Sequence, residues 1–142
     1  MSTVVWTDEL SIGVVEADAE HRNLVAIIGQ LEDAIINGKD ARFMGEVLTK
    51  LVEYTGIHFI SEEQLMLNSQ YPAYEAHRAQ HAQLVKKLEK FRFEFMETGE
   101  RMTQKDFGYL VDWLTNHILV DDMTFGAHHA RWHAATKSTT AV

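Results

Sequence analysis

His58 and Glu62 lie one helical turn apart, and both fall on the face of a stretch whose other residues on that side are apolar. His77 and His81 repeat the spacing further on. Side chains four residues apart on a helix share a face and sit roughly 6 Å apart along the axis, so each pair can converge on one point. Burying imidazoles and carboxylates costs several kcal/mol unless they are paired or coordinated. A metal ion removes that cost, because it takes the lone pairs and neutralises the carboxylate charge. Each pair alone has a plainer explanation: an ion pair across one turn for His58 and Glu62, or a chance spacing for His77 and His81.

The apolar pattern supplies the elements that would position these groups. Apolar residues recur at helical spacing in four blocks. The first helix is expected from near Asp18 to just before Gly38, with His21, Leu24, Val25, Ile28, Leu31 and Ile35 in line. A second runs from about Ala41 to Leu67, carrying Met44, Val47, Leu51, Tyr54, His58, Glu62 and Leu65 on one face. Asn68 to Pro72 should end it. A third spans about Ala73 to Met96, with His77, His81, Leu84, Leu88, Phe91 and Phe95, and closes at Thr98-Gly99-Glu100. A fourth begins near Thr103 and carries Phe107, Leu110, Leu114, His117 and Ile118. Four helices with short connections predict an all-α, up-down-up-down four-helix bundle over about 18–122. An extended arm over 1–17 precedes it, and a short tail over about 123–142, at most one more small helix, follows. The whole chain, 1–142, reads as one domain.

Together the four stripes bring five histidines, His21, His58, His77, His81 and His117, inward beside Glu62 and an aspartate after the fourth stripe. Ordinary core packing does not account for that set. Seven ligands exceed one tetrahedral zinc. Two octahedral ions bridged by carboxylates use them all, and imidazole with carboxylate but no thiolate suits iron, with manganese or zinc as lesser options. Haem held by two histidines leaves the carboxylates unexplained.

Bulk properties narrow the function. The 142 residues carry a formal charge of -8, which speaks against nucleic acid and anionic membranes. Cysteine is absent, so disulfides, thiolate zinc sites and iron–sulfur clusters are out, and a reducing cytoplasm fits. No secretory leader or membrane span is expected from the pattern. The charge and the lack of an obvious exposed apolar stripe lean toward a monomer.

The motifs DAEH at 18–21, HFISE at 58–62, HRAQH at 77–81 and WLTNHILVDD at 113–122, in this order and spacing, resemble the hemerythrin family, and single-domain bacterial hemerythrins most closely. The resemblance runs from Trp6 to about Phe125. It implies a non-haem di-iron centre that binds O2 reversibly. By that match His77, His81 and His117 hold one iron and saturate it. His21 and His58 hold the other and leave a position for O2. Glu62 and Asp122 bridge the ions beside a solvent-derived oxo or hydroxo bridge. The family's apolar oxygen pocket matches Leu24, Phe59, Trp113, Leu114 and Ile118, although core packing alone would account for most of these. No catalytic residue is implied. The reading is an oxygen carrier, store or scavenger, with an O2-consuming enzyme as a conceivable protein partner. The competing readings are a di-iron enzyme acting on peroxide or nitric oxide, and an oxygen or iron sensor or iron store.

The choice of aspartate is a point of conflict. At about 100° per residue, position +4 from His117 lies near its face and +5 is swung away, so regular helix geometry favours Asp121. The family pattern, with a local distortion there, favours Asp122. His129 and His133 also lie four apart but follow no apolar stripe, and are expected on a solvated or packing surface. Glu63 points about 100° from Glu62 and should face solvent or the back of the site. Lys86, Lys87, Glu89 and Lys90 read as the wet face of the third helix.

Overall fold

A computed structural model of the chain describes residues 5–98 and 103–140, and of 137–140 the backbone alone. Its helices are α1 (Val15–Ile36), α2 (Ala41–Asn68), α3 (Tyr74–Thr98), α4 (Gln104–Asn116) and α5 (Met123–Thr140), with a π-helical turn at His117–Asp122 joining the last two into one rod. α1 packs along α2, α2 along α3, and α4 closes against α1. The result is the four-helix bundle that the stripes predict.

Local chemistry sets the ends. Thr103 and Asp106 cap each other's backbone at the start of α4, and Asp40 accepts from Phe43 N at the start of α2, which satisfies donors that helix starts leave open. α1 ends in a Schellman turn: Lys39 N donates to Ala34 O and Gly38 N to Ile35 O, with Gly38 at φ +60°. Glycine takes that left-handed conformation at no steric cost. α2 ends the same way, through Tyr71 N to Met66 O and Gln70 N to Leu67 O, but there a glutamine occupies the left-handed position at φ 53°.

The stripes point inward as their spacing demands. Leu24, Leu31, Met44, Leu48 and Met66 are fully buried, and Phe107, Leu110, Leu114 and Ile118 are buried on the last rod. Each such side chain contributes roughly 1.5–3 kcal/mol, and together they offset the cost of the polar layer between them. Lys86, Lys87, Glu89 and Lys90 are exposed around buried Leu88.

The boundaries differ from expectation at three places. α1 starts at Val15 rather than near Asp18, because Asp18 does not begin the helix. Its carboxylate instead accepts from Ile12 N and Ser11 Oγ and ties the preceding arm to the helix. The arm is also not wholly extended, since Asp8–Leu10 forms one 3-10 turn; residues 1–4 lie outside the described residues. At the far end, the region expected to be a short tail is an 18-residue helix. Its anchors were not visible as a stripe: Phe125 is fully buried against Tyr71, His128 Nε2 donates to Ser69 O at 2.7 Å, and Gly126 lies against the Ile12 carbonyl. α3 runs to Thr98, and Gly99 and Glu100, expected to close it, lie outside the described residues. Among the described residues no helix is long and apolar enough to cross a membrane.

Candidate metal centre

All five inward histidines, Glu62 and Asp122 meet in one buried layer of the bundle. Each is at most 4% exposed. α1 supplies His21, α2 His58 and Glu62, α3 His77 and His81, and the π turn His117 and Asp122. Two groups of donor atoms form, each within 4.8 Å of one another: Glu62, His77, His81, His117 and Asp122, and His21, His58, Glu62 and Asp122.

The two carboxylates belong to both groups, and each divides its oxygens between them. Glu62 Oε1 lies 3.0 Å from His77 Nε2 and 3.3 Å from His81 Nε2, while Oε2 lies 3.5 Å from His21 Nε2 and 3.3 Å from His58 Nε2. Asp122 Oδ1 lies 2.9 Å from His77 Nε2 and 3.1 Å from His117 Nε2, and Oδ2 lies 3.1 Å from His21 Nε2. One oxygen toward each group is the disposition of a bridging carboxylate.

The π turn explains why Asp122 is there and Asp121 is not. An inserted residue in the turn replaces i→i+4 by i→i+5 bonding, and this brings position +5 back toward the face of His117. Asp121, at +4, reaches the outer side of the ring instead, with Oδ2 3.2 Å from His117 Nδ1. It is absent from both groups.

The residues fit a metal better than they fit each other. Among the described residues, His21 Nε2, His58 Nε2, His77 Nε2, both oxygens of Glu62 and both of Asp122 are buried without a hydrogen-bond partner. They approach one another within 3.5 Å, yet none is aligned as donor to acceptor. Native proteins leave only a few such atoms per roughly 100 residues, and here they gather in one layer. The outer nitrogens sharpen the point. His81 Nδ1 lies 3.2 Å from Glu63 Oε2, and His117 Nδ1 3.2 Å from Asp121 Oδ2. An ionised carboxylate only accepts, so both protons belong on Nδ1. In the neutral rings the Nε2 atoms, 3.1 Å apart, then face each other with bare lone pairs. That arrangement needs a cation or an added proton between them.

Without metal, protons serve. Burial works to lower the pKa of His21 and of His77, but Asp122 and Glu62 beside each outweigh it and raise both to about 9. Burial likewise opposes the charge on His58, and Glu20 and Glu62 overcome it, raising its pKa. Burial pushes the two carboxyls up, and the histidines around them prevail: Asp122 falls to about 2, and Glu62 falls well below the usual carboxylate range.

Of the five residues expected around an oxygen pocket, Leu114 and Ile118 line an apolar cavity of about 390 Å³ between α1 and α4, with Val25 and Ile28 opposite. Leu24 and Phe59 are buried, and Phe59 stacks on His81 with centroids 3.7 Å apart. Trp113 is half-buried and stacks on His117, lining a separate hollow with Gln80 and Leu84. His129 and His133 stack on each other away from the centre, and neither joins a donor group. Glu20 was missed: its Oε1 lies 2.9 Å from His58 Nδ1. Its signal was its place in DAEH, one residue before His21 and so on the flank of the same stripe.

Comparison with known proteins agrees with this geometry. The chain is 34% identical over 125 residues to the bacteriohemerythrin of Stenotrophomonas maltophilia (strain R551-3), covering 88% of this chain and 80% of that protein. It is 36% identical over 122 residues to the bacteriohemerythrin of Pseudomonas aeruginosa (strain LESB58), covering 86% and 78%. A crystal structure of wild-type hemerythrin superposes with a TM-score of 0.83 at 29% identity, over 90% of this chain and 98% of that one. The family model of the hemerythrin HHE cation binding domain matches residues 13–128, and with a buried histidine–carboxylate layer contributed by α1, α2, α3 and the π turn, the chain belongs to the hemerythrin family.

Proposed function

We propose that this protein binds O2 reversibly at a non-haem di-iron centre, as a cytoplasmic carrier, store or scavenger acting as a monomer and as one hemerythrin-like domain. The reading assigns His77, His81 and His117 to one ion and His21 and His58 to the other, with Glu62 and Asp122 bridging. The opposed Nε2 atoms of His81 and His117, 3.1 Å apart with their outer nitrogens already committed, carry it, because they call for a cation at that point. O2 as the ligand follows from membership of the hemerythrin family, to which relatives such as the bacteriohemerythrins and, at 26% identity, the myohemerythrin of Theromyzon tessulatum also belong.

When bound, a pair of ferrous ions supplies the two electrons that O2 binding of this kind requires. The chain's own part is to place and shelter. Three histidines on one side and two on the other leave the His21–His58 end one ligand short. Leu24, Leu114 and Ile118 are buried apolar neighbours, and apolar walls keep water and stray protons from the centre. The enzyme reading asks for an acid near the open end. Glu32 and Asp112 line the same cavity, but Glu32 follows His21 by eleven residues on α1, roughly 16 Å along the axis. Asp112 is exposed. Glu20 lies at that end, but its Oε1 is engaged behind the ring, on His58 Nδ1 at 2.9 Å, so carriage fits the surroundings better than turnover.

Anaerobic purification, iron analysis and visible spectra through deoxygenated, oxygenated and re-deoxygenated states test the proposal. About two irons per chain, with a band that rises with O2 and falls on its removal, is the expected result. Two irons that oxidise once and never release O2 would move the assignment to an enzyme or a store. A chain without iron would sink it.

A further inference from the structure

Three carboxylates surround the centre from outside, and each faces the Nδ1 of a different histidine: Glu20 on His58 at 2.9 Å, Glu63 on His81 at 3.2 Å, and Asp121 on His117 at 3.2 Å. They come from three elements, α1, α2 and the π turn. All three are partly exposed, at 24%, 19% and 34% of the side chain, so they sit between the dry layer and solvent. Their distribution is uneven. At the five-group end two of the three histidines have an outer carboxylate. At the four-group end only His58 has one, and His21 Nδ1 is buried without a partner among the described residues.

An outer carboxylate holds the proton on Nδ1, keeps Nε2 bare toward the metal, stops the ring from turning and makes the ligand more basic. We propose that Glu20, Glu63 and Asp121 are positioning residues of this kind, and that their uneven placement makes the two ends bind metal with unequal strength, the His77–His81–His117 end first. The proposal rests on the two-metal reading given above. Its structural content is separate, because it concerns which ring is fixed by what.

Titration of the metal-free protein with Co2+ alone, followed by its visible absorption, tests it. Two resolved steps are expected. E63Q and D121N should each weaken the tighter step by about 10–100-fold, and E20Q should weaken the looser step by a similar factor, as loss of such outer partners does. Long-range 1H–15N spectra of the Zn2+-loaded protein supply a readout that mere stability would not move. His58, His81 and His117 should show protonated Nδ1 with strongly hydrogen-bonded protons, and each variant should shift only its own ring. The step separation and the wild-type spectrum need no variant to fold. Binding of fewer than two Co2+ ions would defeat the two-metal reading itself. Two ions taken up in a single step, variants that weaken both steps alike, or Nε2-protonated rings would leave that reading standing and overturn this one.

Discussion

Loading the metal-free protein should expel protons, and the number follows from the site. The carboxylates beside His21 and His77 raise both to about 9 without metal, so at pH 7 both are mostly protonated. A metal needs the bare Nε2 of both, so at least two protons must leave per fully loaded chain, and His58, whose pKa is also raised, adds to the count. Each pH unit below 9 costs each of these histidines about tenfold in apparent affinity. For the deeply buried His21 that is on the order of 3 kcal/mol at pH 7. Between pH 7 and 8.5, log affinity for full loading should therefore climb with a slope of about 2. Zn2+ added to weakly buffered apoprotein with an indicator dye gives the proton count directly, and calorimetry in two buffers of different ionisation enthalpy gives it independently. Affinity flat with pH over this range, or no proton release at pH 7, would mean that the imidazoles are already bare and that the carboxylates do not hold them charged.

The same shifts set the pH profile of the metal-free fold. A histidine raised to about 9 stabilises the fold fully below its unfolded value of about 6.5 and loses that contribution as pH climbs through 9; Asp122, lowered to about 2, contributes above about 4 and fails as pH falls through 2. Thermal melts of the apoprotein should thus be highest near pH 5–6 and decline toward 9, while the metal-loaded protein gains over that upper range. D122N should cost one metal or weaken its binding more than 100-fold, whereas D121N keeps two with a loss of about 10–100-fold; Co2+ stoichiometry decides, and the reverse order would make position +4 the bridge. A Cβ on Gly126 would sit 2.1 Å from the Ile12 carbonyl oxygen and 3.1 Å from its carbon, so G126A should destabilise by about 1–3 kcal/mol, read as a lower denaturation midpoint. Q70G should do the opposite, raising stability by about 0.5–1 kcal/mol, since glycine relieves a left-handed glutamine costing about 1–2 kcal/mol but frees the unfolded chain.

Periodicity made the bundle readable. Leu24, Leu31, Met44, Leu88 and Leu110 are buried where a 3.6-residue repeat places them, and the histidines could be picked out because they interrupt those same rows. What the rows do not carry is how the chain approaches itself from outside them. α5 has no apolar face to announce it; it is held by single contacts, Phe125 on Tyr71 and Gly126 on the Ile12 backbone, and neither leaves a repeat in the sequence. The start of α1 was misplaced for a related reason. An aspartate near a helix start reads as a cap, but Asp18 spends its oxygens on Ser11 and Ile12, a contact that exists only once the arm has folded back.

The pair Asp121-Asp122 shows where helical arithmetic gives out. At 100° per residue the nearer carboxylate to His117 is Asp121, and in a regular helix it would be the one facing inward. The π turn changes the count by one residue, so Asp122 becomes fully buried between His21, His77 and His117, while Asp121 stays beside His117 on its outer nitrogen. Such a turn forfeits regular i→i+4 bonding and is uncommon except at functional sites, so something must repay it. The repayment visible here is twofold: one insertion sends two adjacent carboxylates to opposite nitrogens of one imidazole. A regular helix could put a carboxylate inside the layer or behind the ring, but not both from neighbouring residues. The distortion is thus tied to the histidine–carboxylate layer, since it is what brings Asp122 to His21, His77 and His117.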